Sequence, residues 1–362
     1  MSPTTTAPSG AATMARTLMA AMRMADHRVD LASRLTTSDD GTAPDRRRRL
    51  RAIGQRMAAR VAARYRALPT ADRPDVWVTY GGGGDAPDWL GPPISADLAI
   101  PYVAIEPKGA PSEDHDIDVA DAAVALSDAS LARIEPIPEQ TTRRVRLLPF
   151  LDTAPIAGAL RIRDNHRAAI ASRLQLPRRS PWILFVCTMR HGDRLASYRA
   201  LARAMSRLVT LDWRLIVVGA GPAAPEVEAA MRTLPLDRVR FVGAMTPNAL
   251  RLYYVTVDLA VAPAVGGTCG MSLLEAQACG VPVVASDEPG VREVVRDGVS
   301  GKLTGAGNLE ALANAIGFLL RHPQFRESFA KGARRAVMTD HDIGAAARLL
   351  DDVLTSVARP PG

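Results

Sequence analysis

Short, unbroken apolar runs recur along this chain, each closed by glycine, proline or charge. In the second half they fall at 181–188 (PWILFVCT), 213–222 (WRLIVVGAGP), 239–244 (VRFVGA), 258–264 (DLAVAPA) and 281–286 (VPVVAS). Runs of this length, apolar on most positions, read as strands, the run at 181–188 as one buried on both faces. Between them the apolar positions shift to a 3.6-residue period. That spacing predicts helices over 164–174, 197–208, 226–234, 247–254, 272–279 and 309–320, with two more helical stretches reaching 358. The first half has the same grammar. Helices are predicted over 14–24 and 45–68, the second with Leu50, Ile53, Met57, Val61 and Tyr65 on its apolar face. Strands are predicted at 76–80 (VWVTY), 101–106 (PYVAIE), 122–127 (AAVALS) and 145–152 (VRLLPFLD), and the alternating 27–35 (HRVDLASRL) also reads as a strand. Strand and helix in alternation predict parallel sheets covered on both faces. The second half holds enough β–α units for a doubly wound sheet of its own, with ligands expected beyond the carboxyl ends of the strands at the switch point. A boundary between the halves is expected near 151–162.

Composition agrees with this picture. The 362 residues are 47% hydrophobic and 23% charged, as in an ordinary soluble globular protein, and suit two domains. Collagen-like and disulfide-scaffold classes are excluded, as is a disordered chain. No run approaches the length of a membrane span, and residues 1–12 lack the charged and apolar regions of a secretory signal. The net charge is +7, yet only three of the 45 basic residues are lysines (Lys108, Lys302 and Lys331). In so arginine-rich a chain each arginine says little about its own site. Aromatic residues are 4%, which leaves few platforms for stacking nucleic-acid bases. Cys187, Cys269 and Cys279 show no CxxC spacing, which suits a reducing cytoplasm.

Chemistry concentrates at 265–290 (VGGTCGMSLLEAQACGVPVVASDEPG). Gly266, Gly267 and Gly270 allow close approach of the backbone to a ligand. The free amides of Met271, Ser272 and Leu273 at the start of the next helix form a place for an anion. Glu275 stands about one turn further in, within reach of a sugar diol.

The stretch GMSLLEAQACGVPVVAS (270–286) resembles the donor-binding signature of family 4 glycosyltransferases, the retaining GT-B enzymes. VVGAGP (217–222) is similar to that family's Gly-x-Gly-Pro turn, and 238–245 and 253–263 fall at the expected places. The likeness is specific over 181–304. It is weaker in the first half, through 74–80, 86–92, 100–106 and 147–152. The resemblance implies an α/β GT-B architecture: two Rossmann-like, doubly wound parallel-sheet domains facing a cleft, at 1–152 and 153–335, with 336–362 crossing back onto the first. It implies a UDP- or GDP-linked sugar donor, no metal, and transfer with retention of configuration to a glycan or lipid-linked acceptor.

Residue by residue, Glu275 matches the family's glutamate for the ribose hydroxyls. Arg190 and Arg194 lie where the family places a catalytic basic pair on the donor diphosphate. Gly270, Met271, Ser272 and Leu273 match the loop whose amides hold phosphate and sugar. Gly243, Ala244 and Met245 match the region against the base. Gly10, in PSGAATMAR (8–16), falls in the glycine loop before the first helix. Two positions depart from the pattern. Gly267 stands where the first glutamate of the signature is expected, and Gly81 where a histidine facing the donor sugar is expected. The strand that should precede 8–16 is absent, which would leave the first sheet without its usual central member. The departures leave open an alternative reading, a homologue that binds a nucleotide or partner without turnover.

Other features are less informative. The arginines at 46–49 lie on an amphipathic helix and are a candidate contact with anionic lipid at the inner face of the plasma membrane. The acidic 112–118, with His115, reads as a loop. The remaining histidines lack ligand spacing, and only His191, beside Arg190, falls near the expected phosphate. The Gly219–Gly221 pair lacks the third glycine and following acid of a dinucleotide fingerprint.

Overall fold

The computed structural model describes residues 10–33, 44–81, 88–106, 119–134, 142–263 and 270–358. The chain forms two compact units, one of Met1–Pro149 together with Ile343–Gly362 and one of Phe150–Asp342.

The second unit carries six parallel strands: β5 (Trp182–Val186), β6 (Arg214–Val218), β7 (Val239–Phe241), β8 (Leu259–Ala262), β9 (Val283–Ser286) and β10 (Gly301–Thr304). Their order is β10-β9-β8-β5-β6-β7. The chain starts at β5, winds outward to β7, then returns past β5 to lay β8, β9 and β10 on the other side. That is a doubly wound sheet with its winding reversed between β5 and β8. Alternate strand residues feed two cores, as a period of two demands. Trp182, Leu184, Ile216, Val218, Val283 and Ala285 face one core. Ile183, Phe185, Leu215, Val217, Val261 and Val284 face the other. The first core is closed by residues of α5 (Ala154–Arg161), α6 (Arg163–Leu174), α9 (Pro247–Tyr254) and α10 (Met271–Ala278). The second is closed by α7 (Asp193–Ser206), α8 (Ala224–Met231) and α12 (Leu309–Arg321). The short α11 (Pro289–Arg292) joins β9 to β10, and α13 (Pro323–Asp340) follows α12.

One arginine locks the amino-terminal edge of this sheet. The Arg167 guanidinium lies 4.2 Å from the centre of the Trp182 ring and 3.0 Å from Asp258 Oδ2. It also donates to the carbonyls of Arg178, Ser180 and Thr256. Asp258 in turn accepts the Trp182 amide at 2.8 Å. The cluster ties α6 to the starts of β5 and β8, the two strands that flank the reversal.

The first unit contains α1 (Gly10–Met24), α2 (Pro44–Arg66), β1 (Trp77–Tyr80), α3 (Gly91–Leu98), β2 (Tyr102–Ile105), β3 (Ala122–Ala125), α4 (Asp128–Ile134), β4 (Arg143–Arg146) and, from the far end of the chain, α14 (Ile343–Val357). The strands are parallel and run in order β1-β2-β3-β4, with no reversal among the described residues. Helix α14 packs on α1. It is held by Arg143, which donates to Asp352 and to Ser356 Oγ, and by His27, 3.0 Å from Asp351 Oδ1. Helix α13 belongs to the second unit and α14 to the first.

Several local expectations are corrected. Residues 27–33 pair with no strand. Asp26 adopts a φ of +62° at the end of α1 and turns the chain away, and Arg28 is drawn to Asp72 at 2.9 Å. An alternating pattern makes a strand only where a neighbour can complete its hydrogen bonds. The buried face of α2 runs through Gly54, Ala58, Val61, Ala62 and Tyr65, while Ile53 is exposed. The face is rotated because Trp89 occupies the space that a Cβ on Gly54 would need. Strand β4 stops at Arg146, and Leu151 makes only an isolated bridge to Asp342. Helix α7 begins four residues earlier than its apolar period suggests, which puts Arg194 in its first turn.

The Arg167 cluster generates a stability prediction. Arg167→Ala strips the counter-charge from a half-buried Asp258 and should cost about 3 kcal/mol of unfolding free energy. Chemical denaturation of the parent and the variant measures it.

Candidate functional site

The carboxyl end of β5 runs into a loop held as if it were still strand. Cys187 donates its amide to Val218 O at 3.0 Å, and Met189 to Ala220 O at 3.0 Å. Met189 O accepts the Ala223 amide at 2.9 Å. The partner is the β6–α8 turn, and it comes this close only because of two glycines. Gly219 and Gly221 have φ of +153° and +157°. A Cβ on the first would strike Cys187 O, and on the second Met189 O. The Gly-x-Gly turn thus serves the backbone of the neighbouring loop. Met189 is buried by this arrangement and Arg190, next in the chain, is exposed.

Gly192, with φ +72°, then turns the chain into α7. Arg194 stands half-buried in the first turn, beside Cys187 and Tyr198. The Tyr198 hydroxyl donates to Cys187 O at 2.6 Å, fixing the loop from the helix. Burial pushes both the Cys187 thiol and the Tyr198 phenol up, against the pull of Arg194. A cation at a helix N-terminus works against the macrodipole, so the place favours an added anion. Among the described residues neither Arg190 nor Arg194 makes an ion pair.

At the end of β8, residues 264–269 lie outside the described residues, and with them Gly266, Gly267 and Cys269. The chain is described again at Gly270, which packs so tightly on Val294 and the Gly290 carbonyl that no Cβ fits. Gly270 is the N-cap of α10 and offers no side chain to the first-turn amides of Met271, Ser272 and Leu273. Met271 and Ser272 are half-buried and Leu273 is in the core.

Glu275 follows on α10, in a largely dry place. Burial raises its carboxyl above the usual carboxylate range, while the Tyr254 hydroxyl and the Arg251 guanidinium pull it back down. Tyr254 is itself 3% exposed. Burial first, and the adjacent Glu275 charge second, hold its phenol protonated well above the usual value. Its hydroxyl finds no hydrogen bond of good geometry. Burial likewise pushes the Cys279 thiol up to about 12. Arg251 and Tyr254 are absent from the sequence-based site. Their three-residue spacing on α9 puts them on one helix face, which is the signal that could have found them.

At the end of β7, Gly243 has φ +74° and its carbonyl accepts the Gly219 amide at 2.9 Å. Ala244 is exposed and Met245 leans on the first core. The second unit therefore gathers Arg190, Arg194, Gly270, Met271, Ser272, Leu273 and Glu275 around the reversal, with Gly243, Ala244 and Met245 further along the same edge. Gly10 and Gly81 belong to the first unit. Gly10 opens α1, and Gly81 closes β1 by donating its amide to Ile105 O at 2.9 Å. The acidic 112–118 lies outside the described residues. His191 is exposed, 3.9 Å from Glu226. Among the described residues no three His, Cys, Asp or Glu gather as a metal site, and no helix is long and apolar enough to cross a membrane. Arg46, Arg48 and Arg49 are exposed, with Arg48 2.9 Å from Asp45.

Known proteins resemble this chain in sequence and in fold. Residues 180–322 match the family described as glycosyl transferases group 1. A D-inositol 3-phosphate glycosyltransferase from Salinispora tropica is 32% identical over 197 residues, 52% of this chain and 41% of that protein. The chain spans about half the length of the curated relatives it matches. A glycosyltransferase structure from Rickettsia africae aligns with a TM-score of 0.74 at 16% identity, covering 90% of this chain and 85% of the other. The Anabaena protein HepE in complex with UDP-glucose aligns with a TM-score of 0.67 at 18% identity, covering 97% of each chain. The fold is GT-B, with two Rossmann-like units.

Two outcomes are expected. Gly221→Ala forces a side chain against Met189 O and should lower the unfolding free energy by about 2 kcal/mol, read by denaturant unfolding. Glu275→Gln should change the pH dependence of stability. A carboxyl raised by burial binds its proton more tightly in the folded state than in the unfolded one, so it costs stability as pH rises above the unfolded value of about 4.3. The variant lacks that loss. It should gain over the parent as pH rises above the unfolded value and level off once the folded carboxyl has ionised, read as a gap in melting temperature that opens and then holds constant.

Proposed function

The chain belongs to the family 4 glycosyltransferases, of the group 1 type, and on that premise we propose that it transfers a sugar from a nucleotide-diphospho-sugar to a hydroxyl acceptor with retention of configuration. The observation that carries the reading is the carboxyl edge at the sheet reversal. A helix N-terminus whose N-cap residue, Gly270, supplies no side-chain cap ends one strand's loop, and two arginines that make no ion pair among the described residues end the neighbouring one. A diphosphate suits both, since helix amides and guanidinium groups are the usual protein partners of phosphate oxygens.

In this reading Glu275 accepts hydrogen bonds from the ribose hydroxyls. Gly243, Ala244 and Met245 lie against the base. The anomeric carbon–oxygen bond to the diphosphate breaks, and the acceptor oxygen bonds the same carbon on the same face. The acceptor's proton passes to the departing phosphate oxygen. Arg190, Arg194 and the α10 amides stabilise the negative charge that grows on the leaving group, in the manner of an oxyanion site. Gly81 and Gly267 provide no side chain for the donor sugar, so recognition of the transferred sugar falls to other groups. The acceptor is a glycan or lipid-linked hydroxyl. Inositol phosphates are the first to try, because curated relatives are named for them.

Calorimetry against UDP and GDP, followed by turnover with a panel of UDP- and GDP-sugars, tests the reading. One nucleotide should bind, and Glu275→Ala should weaken it. Arg194→Ala should lower kcat by about 10²–10³. Absence of binding by either nucleotide, or activity unchanged by Arg194→Ala, overturns it.

A further inference from the structure

Three tyrosines are buried in the second unit: Tyr198, Tyr253 and Tyr254. Among the described residues the hydroxyls of Tyr253 and Tyr254 make no hydrogen bond of good geometry. That of Tyr198 makes a short one. Its ring is fully buried on α7, edge-on to Phe185 with the ring centres 4.8 Å apart, so phenylalanine would fill the same place. The oxygen is what distinguishes tyrosine here, and it donates to Cys187 O at 2.6 Å. Among the described residues no backbone amide takes that carbonyl, so the hydroxyl is its donor. Gly219 leaves room for this bond. A Cβ there would lie 1.9 Å from Cys187 O and 3.1 Å from Tyr198 Oη. The rest of the loop is held by backbone. Cys187 and Met189 donate to Val218 O and Ala220 O, Met189 O accepts from Ala223, and Arg190 donates to Thr188 O at 3.1 Å. All but the last of these tie the loop to β6 and the β6–α8 turn. The Tyr198 bond ties it to α7.

That difference bears on the two arginines. Arg190 rides on the loop just past Cys187, and Arg194 on α7 one turn before Tyr198. Four apart on one helix, Arg194 and Tyr198 share a face. The chain between the arginines, 191–193, is exposed and turns at Gly192 (φ +72°) with open space beside it. Their relative placement therefore depends on the contact between loop and helix. We infer that Tyr198 is a positioning residue: through the Cys187 carbonyl its hydroxyl sets the loop of Arg190 against the helix of Arg194, so that both guanidinium groups meet one diphosphate. The inference rests on the reading of these arginines as diphosphate ligands. Groups already in place before the ligand arrives need not be ordered by binding, and small misplacements are costly. Burial holds the Tyr198 phenol protonated above its usual range, so the donor is kept at neutral pH.

The first arm of the test uses no ligand. Amide hydrogen exchange is followed by NMR in the full-length parent, in Tyr198→Phe, and in Tyr253→Phe, which loses a buried hydroxyl that makes no hydrogen bond. In Tyr198→Phe the amides of Cys187, Met189 and Ala223 should exchange about tenfold faster relative to those of β5. Tyr253→Phe should match the parent. An unchanged loop, or equal speeding of loop and strand, overturns the inference. The second arm is calorimetry with whichever of UDP and GDP binds the parent, and with the matching monophosphate. Tyr198→Phe should weaken the diphosphate about tenfold and the monophosphate less. In an Arg194→Ala background the same substitution should change diphosphate affinity little, because only one of the two guanidinium groups is left to place. Equal weakening of the two nucleotides, or a loss undiminished in Arg194→Ala, overturns the inference while the donor reading stands. If neither nucleotide binds the parent, it is the donor reading that falls, and the exchange arm alone decides whether Tyr198 positions the loop.

Discussion

Everything at the candidate site depends on where the parallel sheet of the second unit changes direction. Strands wound one way from β5 and the other way from β8 send their following helices to opposite faces. The two loops that leave these neighbouring strands therefore part, and the carboxyl edge between them stays open. Residues that carry chemistry need only be placed on those two loops to meet. The Arg167 cluster closes the opposite edge, so the strands are pinned at one end and free to diverge in their loops at the other.

The site is assembled largely from groups the fold leaves unsatisfied. Helix α10 begins without a side-chain cap. Arg194 stands at a helix start, where its charge is unwelcome. Glu275 is a carboxylate in a dry place, and the Tyr254 hydroxyl beside it makes no good hydrogen bond. Each of these costs stability in the unliganded protein, and the proposed function gives that cost a use, since an anion or a diol would offset it. The surrounding core absorbs the cost, with Trp182, Leu184, Leu274 and Val283 nearly or fully buried.

Much of this was legible in the residues, for physical reasons. Strands buried on both faces are apolar at nearly every position, and β5, β6, β8 and β9 announce themselves in that way. The glycine before α10 and the acid one turn later were likewise readable, because a helix start has fixed spacing. Other features depend on what lies alongside. The stretch 27–33 alternates like a strand but has no neighbour to pair with. Ile53 fits the helical period of α2, yet Trp89 decides which face is inward. Strand β10 (GKLT) is short and half-buried, so its pattern is weak. The glycines at 219 and 221 could be read as a turn, but the carbonyls they make room for, on Cys187 and Met189, are 32 residues away in the chain. Arg251 and Tyr254 could be placed on one face, while the carboxylate they face belongs to another helix.

The way the chain closes on itself has a consequence for biogenesis. Residues 343–357 leave the ribosome after all the other described elements, yet they belong with α1, which is made before all of those elements. The second unit has its whole sequence available before that last helix is made and can fold during translation. The first unit must wait, holding the apolar face of α1 uncovered until residues 343–357 have been made. A nascent chain stalled near Asp342 would thus expose Met14, Leu18 and Met22, and hydrophobic surface of that kind is what chaperones recognise.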